Sequence, residues 1–141
     1  MRTQRQVVDY SLQKRALLRE LHTGKIMQHE VCDASPYLKS AARYHGEPTD
    51  DRCPVCRKDN VTLVHYIYGD ELKNSAGQAR KLAELNLLAM TLGEFQVFVV
   101  EYCPTCSWNH LVEQFLLGRD LLDTPGTPPA AEAARGRDGR R

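Results

Sequence analysis

Two short segments, Cys53-Pro54-Val55-Cys56 and Cys103-Pro104-Thr105-Cys106, decide how this chain folds. Each is a Cys-x-x-Cys pair with proline after the first cysteine. Two such pairs have the ligand number and the local spacing of a closed tetrahedral Zn²⁺ site. Four thiolates leave no open position for water, so the sequence predicts one structural zinc ion. Its predicted ligands are Cys53, Cys56, Cys103 and Cys106.

Three other interpretations of these cysteines are weaker. The first residues, Met1 to Gln6, are polar, so we expect a reducing cytoplasmic location rather than a secreted disulfide framework. A thioredoxin-like motif occurs once, at the start of a helix, whereas here each pair lies beside an extended apolar run. A zinc deaminase needs proline before the first cysteine, and here Pro54 follows it.

Composition limits the class of protein. The chain has 141 residues with 19 basic and 18 acidic side chains, which suits one domain or two small lobes. This balance gives no strong overall preference for nucleic acid or membrane. The longest apolar stretches, such as residues 97–100, are long enough for a strand and far too short for a bilayer span.

Residues 1–48 are predicted to be helical. A first helix would end at Gly24, a short second helix would cover residues 27–32, and a third would cover residues 36–46 with Ser35 as its N-cap. The spacing of apolar residues supports the first helix. Those residues are Val7, Val8, Tyr10, Leu12, Ala16, Leu17, Leu18 and Leu21.

The next part of the chain is predicted to be a small sheet. Three stretches rich in β-branched and aromatic residues are typical of strands, and a capping box at Ser75 and Gln78 predicts a helix between the first two. A linker at residues 48–51 would precede the sheet. The predicted strands cover residues 61–68, 95–102 and 108–117.

These elements together predict an α+β fold. An N-terminal helical segment (1–48) would pack with a three-stranded antiparallel zinc-ribbon-like sheet carrying an inserted helix (49–118), followed by a disordered tail (119–141) that is rich in small and charged residues. Because so small a sheet buries little apolar surface, the metal would supply much of the folding free energy.

Charge is unevenly distributed between the segments. Residues 1–48 hold eight basic and five acidic groups, whereas residues 49–118 hold six basic and nine acidic groups. A phosphate backbone is attracted by lysine and arginine, so the sheet is a poor candidate for nucleic-acid binding. If nucleic acid binds, we expect Lys39 and Arg43 of the helical segment and the arginines of the tail to contact it. The alternative is that this basic face is simply solvated.

Other residues carry weaker signals. Cys32 is interpreted as a small buried hydrophobe rather than a nucleophile, because it lies in a short apolar stretch with Val31. His65 and His110 are interpreted as strand residues, and Trp108 is expected to pack over the second Cys-x-x-Cys turn. The sequence contains no Ser/His/Asp set, phosphate loop or paired-carboxylate motif, so we expect no enzymatic activity.

Several stretches of the chain resemble an actinobacterial family of small proteins of unknown function. The resemblance spans roughly residues 5 to 118 and implies a cytosolic zinc-ribbon-like protein without an established activity. Ser107 departs mildly from the glycine that often follows such a pair, where glycine eases a positive φ. The stretches that carry the resemblance are residues 7–12, 31–34, 41–46, 53–56, 64–65, 68–72 and 106–111.

Three hypotheses about function follow. The first is a non-enzymatic protein-interaction or regulatory module, docking on a larger machine such as the transcription or translation apparatus. The second is a nucleic-acid-binding protein that uses the helical segment and the basic tail. The third is a thiol redox sensor in which oxidation releases zinc.

Overall fold

The computed structural model describes residues 4–119 and contains one six-stranded sheet. Its strands are β1 (Arg5–Asp9), β2 (Glu47–Arg52), β3 (Asn60–Tyr68), β4 (Ala79–Arg80), β5 (Phe95–Tyr102) and β6 (Asn109–Leu117). The helices are α1 (Ser11–His22), α2 (Gln28–Val31), α3 (Pro36–His45) and α4 (Leu82–Thr91), with a 3₁₀ helix at Asp70–Ser75.

The strands run antiparallel in the order β1-β6-β5-β3-β2, and β4 pairs with β3. The α+β class is therefore confirmed, but the prediction of three strands is wrong, since the sheet has six. The three predicted strands correspond to β3, β5 and β6, which are neighbours at its centre. The other three are short or lie at its edges.

Strand β1 replaces the start of the predicted first helix. It pairs with β6, with Val8 opposite Gln114 and Asp9 opposite Glu113. The helix begins only at Ser11, whose N–H donates to the Asp9 carboxylate at 2.7 Å. Val7 and Val8 are β-branched and therefore suit an extended edge strand. The residues from Leu17 to Leu21 do lie in α1, which ends before Gly24 as predicted.

Strand β2 replaces the predicted linker. Glu47 and Pro48 pair with Leu63 and Thr62 of β3, and the Thr49 hydroxyl donates to the Val61 carbonyl at 2.6 Å. Proline is tolerated here because β2 lies at the edge of the sheet, where one side of the strand needs no partner.

The inserted helix starts later than the capping box predicted. Gly77 has a φ of +85°, which ends any helix begun at Ser75, and its N–H donates to the Ile67 carbonyl at 2.6 Å. The chain then pairs with β3 as β4 before α4 begins at Leu82. The third helix agrees with prediction, because the Ser35 hydroxyl accepts the Leu38 N–H at 3.1 Å.

Both faces of the sheet are covered. Residues 64 and 67 of β3 point to opposite faces, because side chains alternate along a strand. Ile67 belongs to the cluster that includes Leu85 and Ala89 of α4, whereas Val64 packs with Leu38 and Ala41 of α3. The sheet therefore lies between α3 and α4.

A third apolar cluster lies at the end of the sheet where the cysteine pairs are found. Trp108 is fully buried there with Val61 and Val31, and Leu17 and Leu21 of α1 pack against it. The N-terminal helices and the sheet thus share one core. The domain limits at 48 and 118 remain a prediction.

The predicted disordered tail (119–141) falls, apart from Arg119, outside the described residues. Arg119 itself donates its backbone N–H to the Leu92 carbonyl at 2.7 Å. Within residues 4–119, no helix combines the length and apolar character needed to cross a lipid bilayer.

His65 is a buried titratable group on β3. Its Nδ1 atom has no hydrogen-bond partner within the described part of the chain. Burial lowers the pKa of His65 from 6.5 to about 4, although the nearby Glu47 carboxylate opposes this shift. Since the native state favours the neutral ring, the unfolded chain binds more protons between these two values.

We therefore expect His65 to stabilise the fold less as the pH falls below 6.5. Between about pH 7 and about pH 5.5, the free energy of unfolding of the wild type should fall by about 1 kcal/mol more than that of His65→Leu. Urea unfolding of both proteins at the two pH values measures this difference, because acid effects on the cysteines are common to both. Equal losses of unfolding free energy in the two proteins would contradict the assignment of this pH dependence to His65.

Candidate metal centre

The two Cys-x-x-Cys turns meet because two hairpins end at the same end of the sheet. The first turn connects β2 to β3, and the second connects β5 to β6. Strands β3 and β5 are adjacent, with Thr62 opposite Tyr102, so the two turns lie side by side. The Thr105 hydroxyl donates to the Asp59 carboxylate at 3.0 Å and links one turn to the other.

The two turns share the same backbone hydrogen bond and a positive φ angle at the residue after the second cysteine. In the first, the Arg57 N–H donates to the Cys53 carbonyl at 3.1 Å, and in the second the Ser107 N–H donates to the Cys103 carbonyl at 2.9 Å. Arg57 and Ser107 have φ angles of 58° and 71°. The positive φ at Ser107 agrees with the expectation drawn from its departure from glycine.

Backbone N–H groups point at the sulfurs of the first turn. The Val55 N–H donates to Cys53 Sγ and the Lys58 N–H donates to Cys56 Sγ, each at 3.4 Å. The bond from Lys58 is the main reason that the pKa of the Cys56 thiol is lowered to about 7. The turn therefore favours a thiolate even before a cation is considered.

The four sulfurs form a compact group. Cys53 Sγ lies 3.7 Å from Cys106 Sγ, Cys56 Sγ lies 3.6 Å from Cys103 Sγ, and all four ligand atoms lie within 4.8 Å of one another. A tetrahedral ion with metal–sulfur bonds of about 2.3 Å would place its ligands about 3.8 Å apart. The four cysteines are therefore close enough to hold one metal ion.

Burial keeps part of the cysteine group protonated as long as no cation is bound. Cys53 and Cys103 are fully buried, whereas Cys56 and Cys106 are partly exposed. Burial raises the pKa of the Cys103 and Cys106 thiols, so that without a cation these groups stay protonated. A bound divalent ion would reverse this preference, because thiolates ligate it directly.

A partly buried ion pair lies next to the second turn. The Trp108 indole N–H donates to Glu101 Oε2 at 2.6 Å, and Lys14 Nζ lies 2.8 Å from Glu101 Oε1. Trp108 packs with Cys53 and Cys103, as expected from its position after the second turn. Lys14 belongs to α1, so this pair joins the N-terminal helix to the sheet below the metal centre. No local sequence pattern indicates this pair, because Lys14 and Glu101 are 87 positions apart.

The remaining sequence candidates are not part of the cysteine group. His65 is in β3 and His110 is in β6, where its ring stacks on Trp108 with centroids 5.7 Å apart. Neither histidine belongs to the group of four ligands. Lys39 and Arg43 are exposed on α3, one helical turn apart.

Cys32 is the residue whose position differs most from expectation. The prediction that Cys32 is a small buried hydrophobe is wrong, because the residue is only partly buried and its Sγ atom lies 3.6 Å from Cys106 Sγ. The two residues are 74 positions apart in the sequence. No local spacing signal connects them, so only the tertiary structure identifies Cys32 as a neighbour of the site.

The fold and the site define an α+β protein with a four-cysteine centre suited to a metal ion. The chain belongs to a family of unknown function (DUF5318), whose match covers residues 1–131. An uncharacterized protein of Mycobacterium bovis is 48% identical to it over 122 residues, which cover 86% of this chain and 87% of the relative. Uncharacterized proteins of two Mycobacterium tuberculosis strains match to the same extent. No solved structure matches the chain.

These matches confirm the resemblance to an uncharacterised actinobacterial family. The relatives carry no stated activity, so they assign none to this chain. The geometry of the cysteine group and the exposed surfaces therefore provide the basis for any proposal about function.

Proposed function

We propose that this protein is a non-enzymatic, cytoplasmic protein-interaction module whose fold is stabilised by one structural Zn²⁺. Its ligands are Cys53, Cys56, Cys103 and Cys106. The observation that carries the proposal is the spacing of these sulfurs, whose separations of 3.6 and 3.7 Å are close to the edge of a zinc–thiolate tetrahedron. Soft thiolate ligands in this number favour zinc over magnesium or calcium.

The same geometry supports a structural rather than a catalytic ion. Four thiolates complete the coordination shell, so no position remains at which zinc could activate water or polarise a substrate. Two of the sulfurs are fully buried in the cluster that contains Trp108. In this proposal the ion fastens the two hairpins together, and the first N-terminal helix packs against the apolar cluster beside it.

Purified, reduced protein should contain one zinc ion per chain. Elemental analysis after gel filtration measures the metal directly, and the visible spectrum of cobalt-substituted protein reports tetrahedral thiolate coordination. A folded, reduced sample without metal, or one that holds a hard cation in its place, would contradict the proposed centre.

Helix α4 supports the assignment of a protein partner. Its inner side buries Leu85 and Ala89, yet its outer side exposes Leu87 by 67% and Met90 by 62%. A surface helix normally carries polar residues on its outer face, whereas this one has a single charged residue, Glu84. An exposed apolar helix face of this kind fits an apolar groove on another protein better than it fits nucleic acid. In the proposal that partner is part of the transcription or translation apparatus.

Replacing Leu87 with glutamate should abolish binding of the partner protein without unfolding this protein. The matched control is Leu12→Glu, because Leu12 is a helical leucine that is 70% exposed on α1. Capture from native lysate by the zinc-loaded wild type and by both variants, with mass spectrometry of the captured proteins, makes the comparison. The α4 surface is supported if only Leu87→Glu loses a specific protein and contradicted if both variants behave alike.

Nucleic-acid binding is the second candidate function, and helix α3 favours it. Lys39 and Arg43 are exposed there together with Tyr37 and Tyr44, and the Arg43 guanidinium carbon lies 5.6 Å from the centre of the Tyr44 ring. Basic and aromatic side chains together suit single-stranded nucleic acid. The tail assigned to the same role lies outside the described residues.

Salt dependence separates this candidate from the first. If α3 contacts phosphates, Lys39→Ala with Arg43→Ala should reduce the slope of log affinity against log salt by about two. Arg15→Ala with Lys25→Ala is the control, because it removes the same charge from exposed positions elsewhere. Equal effects of the two double variants would point to non-specific attraction and leave the protein partner as the better candidate.

A further inference from the structure

Cys32 brings a fifth thiol to the metal centre from a separate part of the chain. It follows α2, and its Sγ atom lies 3.6 Å from Cys106 Sγ, close to van der Waals contact between two sulfurs. A disulfide requires the two sulfurs to approach about 1.5 Å closer. Rotation of the two side chains, together with a small shift of the backbone, could provide such a movement.

Neighbouring contacts hold Cys32 in this position. Asn109 Nδ2 donates to the Asp33 carboxylate at 3.0 Å, and the Ala34 N–H donates to the Ser107 carbonyl at 3.2 Å. On the other side of Cys32, Val31 is buried in the cluster that contains Cys53 and Cys103. The segment that carries Cys32 is therefore tied directly to the second cysteine turn.

Three of the five thiols at the centre are partly exposed, namely Cys32, Cys56 and Cys106, whereas Cys53 and Cys103 are fully buried. Of the two partly exposed proposed ligands, Cys106 is the one whose sulfur lies next to Cys32. A small oxidant arriving from solvent can thus reach Cys106 and Cys32. Cys32 is also not needed as a ligand, since the other four thiols complete a tetrahedral site.

We propose that Cys32 and Cys106 form a regulatory oxidation site, in which a disulfide between them displaces Cys106 from the metal. This inference rests on the proposed zinc centre. The oxidant is a peroxide, and the probe is hydrogen peroxide. With Cys106 withdrawn, three thiolates remain, so the ion is held more weakly and is released.

The chemistry occurs in two steps. The Cys106 thiolate attacks one peroxide oxygen, the O–O bond breaks, and the products are a sulfenic acid and hydroxide. The Cys32 sulfur then attacks the Cys106 sulfur, the S–O bond breaks, and the hydroxyl group leaves with the Cys32 proton as water. Each sulfur gives up one electron and the peroxide accepts both. A dithiol reductant reverses the modification, and zinc can bind again.

The test treats the full-length, zinc-loaded protein with hydrogen peroxide. A chromogenic chelator follows zinc release, and peptide mass spectrometry after alkylation identifies the linked cysteines. We expect a Cys32–Cys106 peptide in the wild type, zinc release that a dithiol reverses, and release that is several-fold slower in Cys32→Ser. A dominant link within either Cys-x-x-Cys pair, or equal release from both proteins, would overturn the proposal.

A second variant covers the case in which Cys32→Ser folds poorly. Asp33→Ala keeps all five cysteines but removes the contact with Asn109, so it should form the Cys32–Cys106 link more slowly while its zinc content stays unchanged. If Asp33→Ala forms the Cys32–Cys106 link at the wild-type rate, the contact between Asp33 and Asn109 does not hold the two thiols together, and this outcome would contradict the proposal. The zinc content of untreated wild type tests the metal centre separately, so failure of either idea can be recognised independently.

Discussion

Replacing Cys103 with serine is expected to abolish metal binding and to unfold at least the end of the sheet that carries the cysteine turns. Cys103 is fully buried, and its N–H donates to the Trp108 carbonyl at 2.9 Å. Metal binding to structural zinc sites is worth about 10–16 kcal/mol in small zinc domains. Because a whole domain is commonly stable by only about 5–15 kcal/mol, loss of the ion should remove most of the stability.

Elemental analysis and thermal unfolding of Cys103→Ser test this expectation. Cys32→Ser is the matched control, since it makes the same chemical change beside the site without removing a proposed ligand. Cys32→Ser should keep its zinc, and its melting temperature should be close to that of the wild type. A Cys103→Ser protein that retains a full equivalent of zinc and a cooperative transition would show that the ligand set is wrong.

Replacing Lys14 with methionine is expected to destabilise the fold by roughly 2–3 kcal/mol. The Glu101 side chain is only 5% exposed, and without Lys14 its carboxylate would keep one hydrogen bond, from Trp108, but no countercharge. The estimate lies below the 3–5 kcal/mol of a fully buried pair because the Lys14 side chain is 29% exposed. Urea unfolding of the zinc-loaded proteins measures the loss.

A double-mutant cycle with Glu101→Gln separates charge from packing. The glutamine amide oxygen can still accept the Trp108 N–H but carries no buried charge. Lys14→Met should therefore cost much less in the Glu101→Gln background than in the wild type. Additive losses would mean that Lys14 contributes through the packing of its aliphatic chain rather than through its charge.

Much of the centre of the fold was predictable because its signals are local. The runs that form β3, β5 and β6 are rich in apolar residues, and apart from Tyr68 and Gln96 their side chains are buried or half-buried, so their composition indicates strands. Ser35 caps α3 through a bond to an N–H three residues later, which is also a local interaction. The four-cysteine group follows from two-residue spacings within each turn.

The peripheral strands were not predictable in this way. Val7 and Val8 fit the apolar spacing of the following helix, and only pairing with β6 makes them a strand. Pro48 normally indicates a linker, yet an edge position beside β3 accommodates it. Strand β4 has two residues. It exists only because β3 extends beyond its pairing with β2, so that His65 and Tyr66 are free to pair with β4 on that side.

By itself, the sequence determined the α+β class, the three central strands and the two cysteine pairs. The strands and the spacing within each pair are local signals, and the ligand number of a tetrahedral site is what relates the two pairs, although Cys56 and Cys103 are 47 positions apart. Tertiary structure alone decided that Cys32 touches Cys106 and that Lys14 meets Glu101. Those contacts join residues 74 and 87 positions apart. They form only when α1 and the segment after α2 pack against the cysteine end of the sheet, and no local pattern of residue types records that packing.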